Sequence, residues 1–307
     1  MEVSVTRAGM LTTVQDLGRT GHRAVGVPLC GAMDSFALRM ANLLVGNPEN
    51  TAAIEFTLLG PELVFSADAL VAIGGGEFGA LPSWQPLEVR AGETSKIGHA
   101  RRGCRGYLAV AGGFTVPPVL GSCSTFLRGE FGGWKGRALR DGDMIEAADA
   151  ARRISGKWWL DERILPAYSP APEVRVVSGA QVEDFGGEFF STVFEVSSQS
   201  DRMGVRLKGP ALARRTTDGV QSATVVPGTI QVPPDGQPIV LMADAQTIGG
   251  YPQIAHVISV DLPLVAQLRP GDTVRFRKVS LSEARELLLA CEHALGMLRE
   301  GLALKFS

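Results

Sequence analysis

The chain of 307 residues lacks any run of about 18 apolar residues, so no membrane-spanning helix is expected. It also lacks a long basic or acidic run, and its formal net charge is -2. Sequence-independent nucleic-acid binding needs concentrated Lys and Arg, so neither a nucleic acid nor a membrane is expected as a partner. The first residues contain no basic region followed by an apolar block, which predicts no signal peptide.

Cysteine and histidine are scarce, with four of each, and neither type forms a motif. Cys30, Cys104, Cys123 and Cys291 lack the C-x-x-C spacing of metal ligands, and no H-x-H or H-E-x-x-H occurs. Unclustered cysteines in a chain of this length indicate reduced thiols rather than a disulfide framework. We therefore expect no metal site and a cytoplasmic protein.

One glycine motif, G-x-G-x-x-G at 74–79, lacks the helix that a dinucleotide site requires. Pro82 and Pro86 follow closely, so the motif favours a glycine-rich turn. No G-x-x-x-x-G-K-[ST] segment and no G-x-S-x-G elbow occur. The chain therefore has no standard phosphate loop of its own, and no cofactor is assigned to it.

Glycine and proline are abundant, with 37 and 18 residues, and short Val-, Ile-, Leu- and Phe-rich runs lie between them. This pattern is typical of many short strands joined by tight turns, and it predicts a mainly β fold with few helices. The predicted strands lie at 2–6, 53–56, 62–65, 70–74, 87–89, 106–111, 174–178, 193–196, 229–232, 239–243, 255–260 and 273–277.

Two helices are predicted, at 34–45 and 280–299. Asp34 can cap the first helix, and Gly46 stands where a left-handed residue ends it. Ser280 and Glu283 form a capping box for the second helix. The apolar stripes at helical spacing, which indicate core packing, are Phe36, Met40, Leu43 and Leu44, and Leu287, Leu288, Cys291, Leu295 and Leu298.

A proline-rich stretch at 151–173 predicts a linker between a domain at 1–150 and a domain at 174–279, with a final helix at 280–307. A short internal repetition supports two similar β domains. The sequence G-P-E-L at 60–63 resembles G-P-A-L at 209–212, and L-R-D-G-D at 139–143 resembles L-R-P-G-D at 268–272, in the same order.

The segment around 228–252 contains the richest set of polar and glycine residues. Asp244 follows a predicted strand, where a carboxylate can exchange protons with a small substrate. Gly249 and Gly250 allow close approach of a ligand to the backbone, and Gln231 offers an amide that donates and accepts. With Gln246 and Tyr251, this set suits a planar carboxamide, ureido or carboxylate group. A hairpin with a capped turn explains the spacing equally well.

Two further segments contain charged pairs beside glycines. Asp201 and Arg202 are adjacent, and Arg offers a planar fork for a carboxylate or phosphate. Asp16 and Arg19 flank Gly18. We include these four residues as candidate substrate-binding residues, with a structural salt bridge or a turn network as the alternative.

Seven motifs together resemble the biotin-dependent carboxyltransferase family, which includes the C subunit of 5-oxoprolinase, allophanate hydrolase subunit 2 and the antagonist of the sporulation kinase inhibitor. They are Q-D-L-G-R at 15–19, G-A-M-D at 31–34, A-N-L-L-V-G-N at 41–47, L-G-S at 120–122, S-D-R-M-G at 200–204, G-T-I-Q-V-P at 228–233 and G-G-Y-P at 249–252.

This resemblance implies two cyclophilin-like β-barrel domains and a cyclophilin-like companion, the B subunit, with the A subunit as a further partner. It implies a component of an ATP-dependent 5-oxoprolinase-type complex that opens 5-oxo-L-proline to L-glutamate and is inactive alone. The alternatives within the family are a carboxyltransferase component that acts on urea or a related amide, with biotin on a separate carrier, and a non-catalytic antagonist of a kinase inhibitor. The small substrate is an amide or a carboxyl compound.

Three positions depart from the family pattern, in which relatives often have Ser, Arg and Arg where this chain has Cys30, Cys123 and Ala245. The absence of Arg at positions 123 and 245 removes two anion contacts and leaves the exact substrate open.

Overall fold

The computed structural model describes residues 1–79, 81–148, 159–216 and 219–306. The chain forms two compact units, and each unit includes more than one segment of sequence. Unit 1 comprises Met1–Arg19, Cys30–Ala167 and Leu295–Ser307, and unit 2 comprises Thr20–Leu29 and Tyr168–Ala294. None of the helices in the described part of the chain combines the length and apolar character needed to cross a bilayer.

Unit 1 contains two antiparallel five-stranded sheets, ordered β7-β4-β1-β10-β9 and β2-β3-β8-β5-β6. Alternate side chains point into a shared apolar core, which contains Val3 and Val5 from the first sheet and Ile54 and Phe56 from the second. The strands are β1 Glu2–Arg7, β2 Leu11–Gln15, β3 Ala53–Thr57, β4 Glu62–Phe65, β5 Ala69–Phe78, β6 Pro86–Val89, β7 Thr94–Lys96, β8 Ala100–Val110, β9 Phe114–Thr115 and β10 Met144–Ala147.

Helix α1, Ser35–Leu44, packs on β5 and β8 of unit 1. Asp34 caps its first turn, because the carboxylate accepts from the backbone N–H of Ala37 at 2.9 Å. Gly46 follows its end with φ +73°. The predicted cap at Asp34 and the predicted left-handed residue at Gly46 are therefore confirmed. The helix can lie close to β5 because Gly74 has no side chain to meet the carbonyl of Ala37.

The G-x-G-x-x-G motif does not form a turn, so that prediction is wrong. Its residues from 74 to 78 continue β5 and pair with β8. Gly75 has φ +94°, and the pairing register shifts just beyond it. The glycines therefore allow a bulged strand and the close approach of α1, and none of the described residues between this strand and β6 forms a helix that could hold a phosphate.

Unit 2 is a closed seven-stranded barrel with the order β11-β18-β15-β16-β13-β12-β19, which a parallel pairing of β19 with β11 completes. A two-stranded ribbon of β14 and β17 lies outside this ring order. The strands are β11 Glu173–Ser178, β12 Phe194–Val196, β13 Gly204–Lys208, β14 Ala223–Thr224, β15 Thr229–Gln231, β16 Ile239–Leu241, β17 Ile248–Gly249, β18 Gln253–Val257 and β19 Thr273–Lys278.

The interior of the barrel is apolar. It is filled by residues that lie directly opposite one another on neighbouring strands. Ile230 lies opposite both Val240 and Ala255, and Val176 lies opposite Val257; all five are buried. Because side chains alternate along a strand, the residues between them face outward. The outward residues of β15 and β18 include polar side chains, which form the candidate site below.

Three helices complete the described chain: α2 Glu188–Ser191, α3 Leu262–Ala266 and α4 Leu281–Ala303. The predicted cap of α4 is confirmed, since the N–H of Glu283 donates to the hydroxyl of Ser280 at 3.0 Å. Its apolar stripe is only partly buried: Leu295 is 3% exposed, but Leu288 is 37% exposed.

Of the two repeated sequence motifs, L-R-x-G-D has the same local structure in both units, whereas G-P-x-L does not, since Glu62 and Leu63 lie in β4 but Ala211 and Leu212 lie outside the strands. The N–H of Arg140 donates to the carboxylate of Asp143 at 2.8 Å, and the N–H of Arg269 donates to that of Asp272 at 2.8 Å. The glycine between them has φ +87° in one turn and +89° in the other. These equal turns support the predicted duplication. The predicted linker stays a prediction, because most of its first part lies outside the described residues.

Candidate functional site on the wall of the barrel

The loop after β16 is held by a buried ion pair between Asp244 and Arg202. Nε of Arg202 lies 3.0 Å from Oδ2 of Asp244, and Nη2 lies 2.9 Å from Oδ1. Both side chains are 5% exposed. The N–H of Asp244 also donates to the carbonyl of Arg202 at 3.0 Å, so backbone pairing continues beyond β13 and β16. The planar fork of Arg therefore binds a carboxylate as predicted, but that carboxylate belongs to the protein.

Asp244 is buried although it lies in a loop, because backbone pairing continues to it beyond β13 and β16, whereas Gln246 two residues later is exposed. Ala245 lies in a small apolar cluster with Val225 and Leu241. The position at which relatives often have Arg is therefore buried among apolar side chains here.

Gln231 lies at the centre of the outer wall and is 1% exposed. Its Oε1 accepts from Nε2 of Gln246 at 3.4 Å, and its Nε2 donates to the carbonyl of Tyr251 at 3.4 Å. Both contacts are at the long end of hydrogen-bond distances, so they hold the amide weakly. Gln246 is exposed, and Tyr251 is 45% exposed. The structure thus brings together three of the predicted residues.

The two glycines of the β17 turn differ in their surroundings. A Cβ on Gly249 would lie 2.5 Å from Nε2 of Gln231, whereas a Cβ on Gly250 would lie 3.3 Å from the hydroxyl of Ser222. Neither residue has a positive φ. Gly249 is therefore required for the close approach of the ribbon to Gln231, and a left-handed backbone is not the reason for it.

Asp201 caps its own turn. Its Oδ1 accepts from the N–H groups of Met203 at 2.8 Å and Gly204 at 3.1 Å. Although Asp201 is adjacent to Arg202 in sequence, its carboxylate organises the start of β13.

His256 belongs to the same wall, although no motif in the sequence points to it. It lies opposite Thr229 in the pairing of β15 with β18, and its Nδ1 is 3.2 Å from the Thr229 hydroxyl. Burial lowers the pKa of His256 below its ordinary value of 6.5. The only signal in the sequence is the alternation of β18, which places His256 outward but does not reveal Thr229 beside it.

Asp16 and Arg19 belong to unit 1, whereas the other eight predicted residues belong to unit 2. Oδ1 of Asp16 accepts from the hydroxyls of Ser122 at 2.6 Å and Ser124 at 2.5 Å and from the N–H of Gly18 at 2.8 Å. Oδ2 accepts from the N–H of Cys123 at 2.6 Å. The carboxylate thus joins two loops, as the turn-network alternative predicts.

Arg19 is fully buried beside this network. It donates to the carbonyls of Val119 and Ser124, and its guanidinium lies 4.9 Å from the ring centre of Phe131. Burial, and then the charge of Asp16, raise the pKa of the Cys123 thiol. This thiol is therefore protonated at neutral pH, and a protonated thiol is a poor nucleophile.

A cavity of about 720 Å³ lies elsewhere in unit 1, beside Trp84 and Trp159. None of the predicted site residues lines it. Its charged residues, Asp161 and Arg163, already pair with each other at 2.5 Å. Among the described residues, no group of three or more His, Cys, Asp or Glu side chains is arranged to hold a metal ion.

The match to a known family includes the whole barrel and its polar outer wall. The family profile described as carboxyltransferase domain, subdomain A and B, matches residues 25–278. The chain belongs to this family, which confirms the resemblance found in the sequence.

Curated relatives of two kinds are similar to the chain. The 5-oxoprolinase C subunit of Escherichia coli is 41% identical over 293 residues, which cover 92% of this chain and 93% of that protein. The 5-oxoprolinase C subunit of Haemophilus influenzae is also 41% identical, over 94% of both. The urea amidolyase of Saccharomyces cerevisiae is 33% identical, and the match covers 93% of this chain but 17% of that protein.

Solved structures show the same fold. The crystal structure of the K. lactis urea amidolyase superposes with a TM-score of 0.90 at 32% identity and covers 100% of this chain and 20% of that one. The Kluyveromyces lactis urea carboxylase gives the same TM-score and identity over 30% of its chain. The chain thus spans about a fifth to a third of these larger proteins.

Proposed function

We propose that the chain is the C subunit of an ATP-dependent 5-oxoprolinase complex that opens 5-oxo-L-proline to L-glutamate. The observation that carries this proposal is the nearly end-to-end match to the C subunit of the Escherichia coli enzyme, at 41% identity over 92% of this chain and 93% of that protein. The urea amidolyase and urea carboxylase matches cover a small part of much longer proteins.

The outer wall of the barrel suits a small cyclic amide. A lactam presents one carbonyl acceptor and one N–H donor side by side, and the Gln231 amide can satisfy both. Gln246 and the exposed face of Tyr251 lie at the same wall. Gly249 allows the ribbon to close over this amide.

In this proposal Asp244 is a positioning residue that holds a loop in place. Its two carboxylate oxygens already accept from Arg202, and both groups are buried. It therefore holds the loop that presents Gln246 and the β17 turn. Asp201 shapes the turn before Arg202, while Asp16 and Arg19 stabilise loops of unit 1.

Partner subunits complete the enzyme, and this chain is inactive alone. The glycine run of β5 is engaged in strand pairing and does not form a phosphate site. We therefore assign ATP to the companion A and B subunits, in a cytoplasmic complex. The four cysteines are free thiols, in agreement with a reducing compartment.

The second candidate is a carboxyltransferase half that acts on urea or a related amide, with biotin on a separate carrier. The TM-score of 0.90 to the urea amidolyase favours it. The same neutral wall would accept a ureido group, since urea also presents a carbonyl oxygen and N–H groups.

Reconstitution separates the two candidates. The chain is combined with the A and B subunits, and ATP-dependent release of glutamate from 5-oxoproline is measured with each component omitted in turn. We expect release only with all three. Carboxyl transfer to urea from a carboxybiotinyl carrier, with no glutamate release, would support the second candidate instead.

A matched pair of variants tests the wall. Gln231→Met keeps the length of the side chain but removes its amide, and we expect it to abolish most of the glutamate release. Gln199→Met alters an exposed glutamine and serves as the control. Equal activity of both folded variants would exclude Gln231 from the site.

A further inference from the structure

A chain of four hydrogen-bonding groups runs through unit 2 and ends at His256. The guanidinium of Arg23 donates to the carbonyl of Val225. The N–H of the same peptide group, which belongs to Val226, donates to the hydroxyl of Thr229 at 3.0 Å. That hydroxyl lies 3.2 Å from Nδ1 of His256.

Donor chemistry and burial together favour one direction for this chain of bonds. A guanidinium and a backbone N–H can only donate, so the Thr229 oxygen is the acceptor for Val226. Thr229 is 0% exposed, and its hydroxyl has no other acceptor among the described residues, so its hydrogen is satisfied only when Nδ1 of His256 accepts it. Nδ1 therefore has no hydrogen, and the hydrogen of the neutral ring is on Nε2. Bonds that point the same way polarise one another, and the positive Arg23 stands at the donor end.

We propose that this chain of bonds holds His256 as the neutral Nε2–H tautomer and presents that N–H as a donor to the carbonyl oxygen of a small neutral amide. This inference rests on the proposed function and adds to it a binding residue and a preference for an uncharged carbonyl. Nε2 makes no hydrogen bond within the described residues and is not among the buried atoms that lack a partner. It is therefore open to a ligand.

The position of His256 fits this role. Thr229, its partner, is two residues from Gln231 on β15, and both point to the outer face. Residues two apart on a strand are separated by about 6.5–7 Å. A five-membered lactam can therefore contact the imidazole N–H and the glutamine amide at the same time.

The charges around His256 leave the ring neutral. On β11, Arg175 lies two residues from Val177, the partner of His256, and is paired with Asp261 at 2.5 Å. In the turn packed against β18, Asp184 is paired with Arg214 at 2.7 Å. Arg23 is the charged group at the donor end of the chain of bonds. Burial lowers the pKa of the ring.

The tautomer can be measured without any enzyme assay. Long-range ¹H–¹⁵N correlation of the ¹⁵N-histidine-labelled chain at pH 7.5 distinguishes Nε2–H from Nδ1–H, and the signal lost in His256→Gln identifies the residue among four histidines. We expect a single Nε2–H pattern. An Nδ1–H pattern, or a mixture of both, would overturn the proposal.

Two variants test whether the chain of bonds fixes the tautomer. Thr229→Val removes the hydroxyl at nearly equal volume, and we expect a mixture of tautomers. Arg23→Met changes a half-buried residue outside the barrel strands, so it stays informative where Thr229→Val does not fold; we expect it to weaken the preference for the Nε2–H tautomer. A tautomer unchanged in the folded variants would contradict the proposed chain of bonds.

The role in binding is tested in the reconstituted complex. His256→Leu removes the donor, and we expect kcat/KM for 5-oxoproline to fall roughly 10- to 100-fold, since a site that loses a buried hydrogen bond loses about 1–3 kcal/mol. His256→Gln keeps a neutral N–H donor and should recover much of this loss. His293→Leu, on the exposed side of α4, is the matched control.

The outcomes separate the two proposals. Wild-type activity in His256→Leu, or equal loss in the folded Gln and Leu variants, would reject His256 as a donor while the complex remains active. A wild-type complex that releases no glutamate would reject the proposed function, and the NMR experiment would still decide the tautomer.

Discussion

The guanidinium of Arg202 and the carboxylate of Asp244 bind each other at two points, at 3.0 and 2.9 Å, with both side chains 5% exposed. A buried charge is costly unless a partner neutralises it. The pair therefore stabilises the loop beside the candidate site only while both members are present.

Removal of one member should destabilise unit 2 strongly. We expect Asp244→Ala and Arg202→Ala each to lower the free energy of unfolding by about 3–5 kcal/mol, because the remaining buried charge loses the partner that it binds at two points. Urea denaturation followed by circular dichroism measures this. Arg163→Ala, which breaks an exposed ion pair with Asp161, is the control and should leave the midpoint unchanged. A stable Asp244→Ala variant would show that the loop opens and hydrates Arg202.

The carboxylate of Asp16 should be essential for the loops of unit 1. Asp16→Asn replaces one acceptor oxygen by an NH₂ group that faces donors, and at least one buried N–H or hydroxyl loses its partner. We expect a loss of about 1–3 kcal/mol in the free energy of unfolding. Asp68→Asn, at an exposed turn where Oδ1 accepts from the N–H of Ala91, is the comparison. Similar small losses in both variants would mean that the Asp16 network rearranges easily.

The Tyr107 hydroxyl joins the start of α1 to the sheet of unit 1. It donates to Oε2 of Glu55 at 2.8 Å and accepts from the N–H of Asp34 at 2.8 Å, with no exposed surface. We expect Tyr107→Phe to cost about 1–3 kcal/mol of unfolding free energy. Tyr251→Phe, at a half-exposed ring, should cost much less.

The pH dependence of Tyr107 has a definite sign. Burial, followed by the charges of Glu55 and Asp34, raises the pKa of Tyr107 well above its ordinary value of 10.0. Its contribution to stability is therefore complete below pH 10 and is lost as the pH rises towards the pKa of the folded state. Absorbance at 295 nm should show Tyr107 ionising only as the protein unfolds. Ionisation of all three tyrosines in the folded protein near pH 10 would contradict this.

The two glycines of the β17 turn provide a matched test of the site. Gly249→Ala places a methyl group 2.5 Å from Nε2 of Gln231, which must move, whereas Gly250→Ala meets the Ser222 hydroxyl at 3.3 Å. We expect Gly249→Ala to reduce glutamate release by the reconstituted complex several-fold and Gly250→Ala to have little effect. Thermal denaturation of both variants is the folding control. The reverse order of effects would place the ligand on the other side of the turn.

Much of the fold could be predicted because local signals determine it. Asp34 and Gly46 bracket α1, and alternating apolar residues locate strands such as Glu62–Phe65. Short strands without a strong sequence pattern, such as Ala223–Thr224, could not be predicted. They are stabilised by pairing with a strand that is distant in the sequence, here Ile248–Gly249. The strand at 255–260 ends early, at Val257, because a 3₁₀ turn at Ser259–Asp261 follows it.

The candidate site was harder to predict, because its properties depend on contacts between distant segments. The sequence places Arg202 and Asp244 42 residues apart, and it does not indicate that they form a buried pair. It cannot reveal that the peptide between Val225 and Val226 connects Arg23 to His256. Glycine pairs suggest a close approach, but only the structure shows that Gly249 approaches the Gln231 amide.

The interleaved order of the two units along the chain limits how the protein can be dissected. Residues 20–29 leave unit 1 early and supply Arg23 to unit 2, and the last thirteen residues return to unit 1. Cleavage of the polypeptide at residue 167 would give two fragments that each contain a segment belonging to the other. Expression of isolated halves should therefore yield poorly folded material.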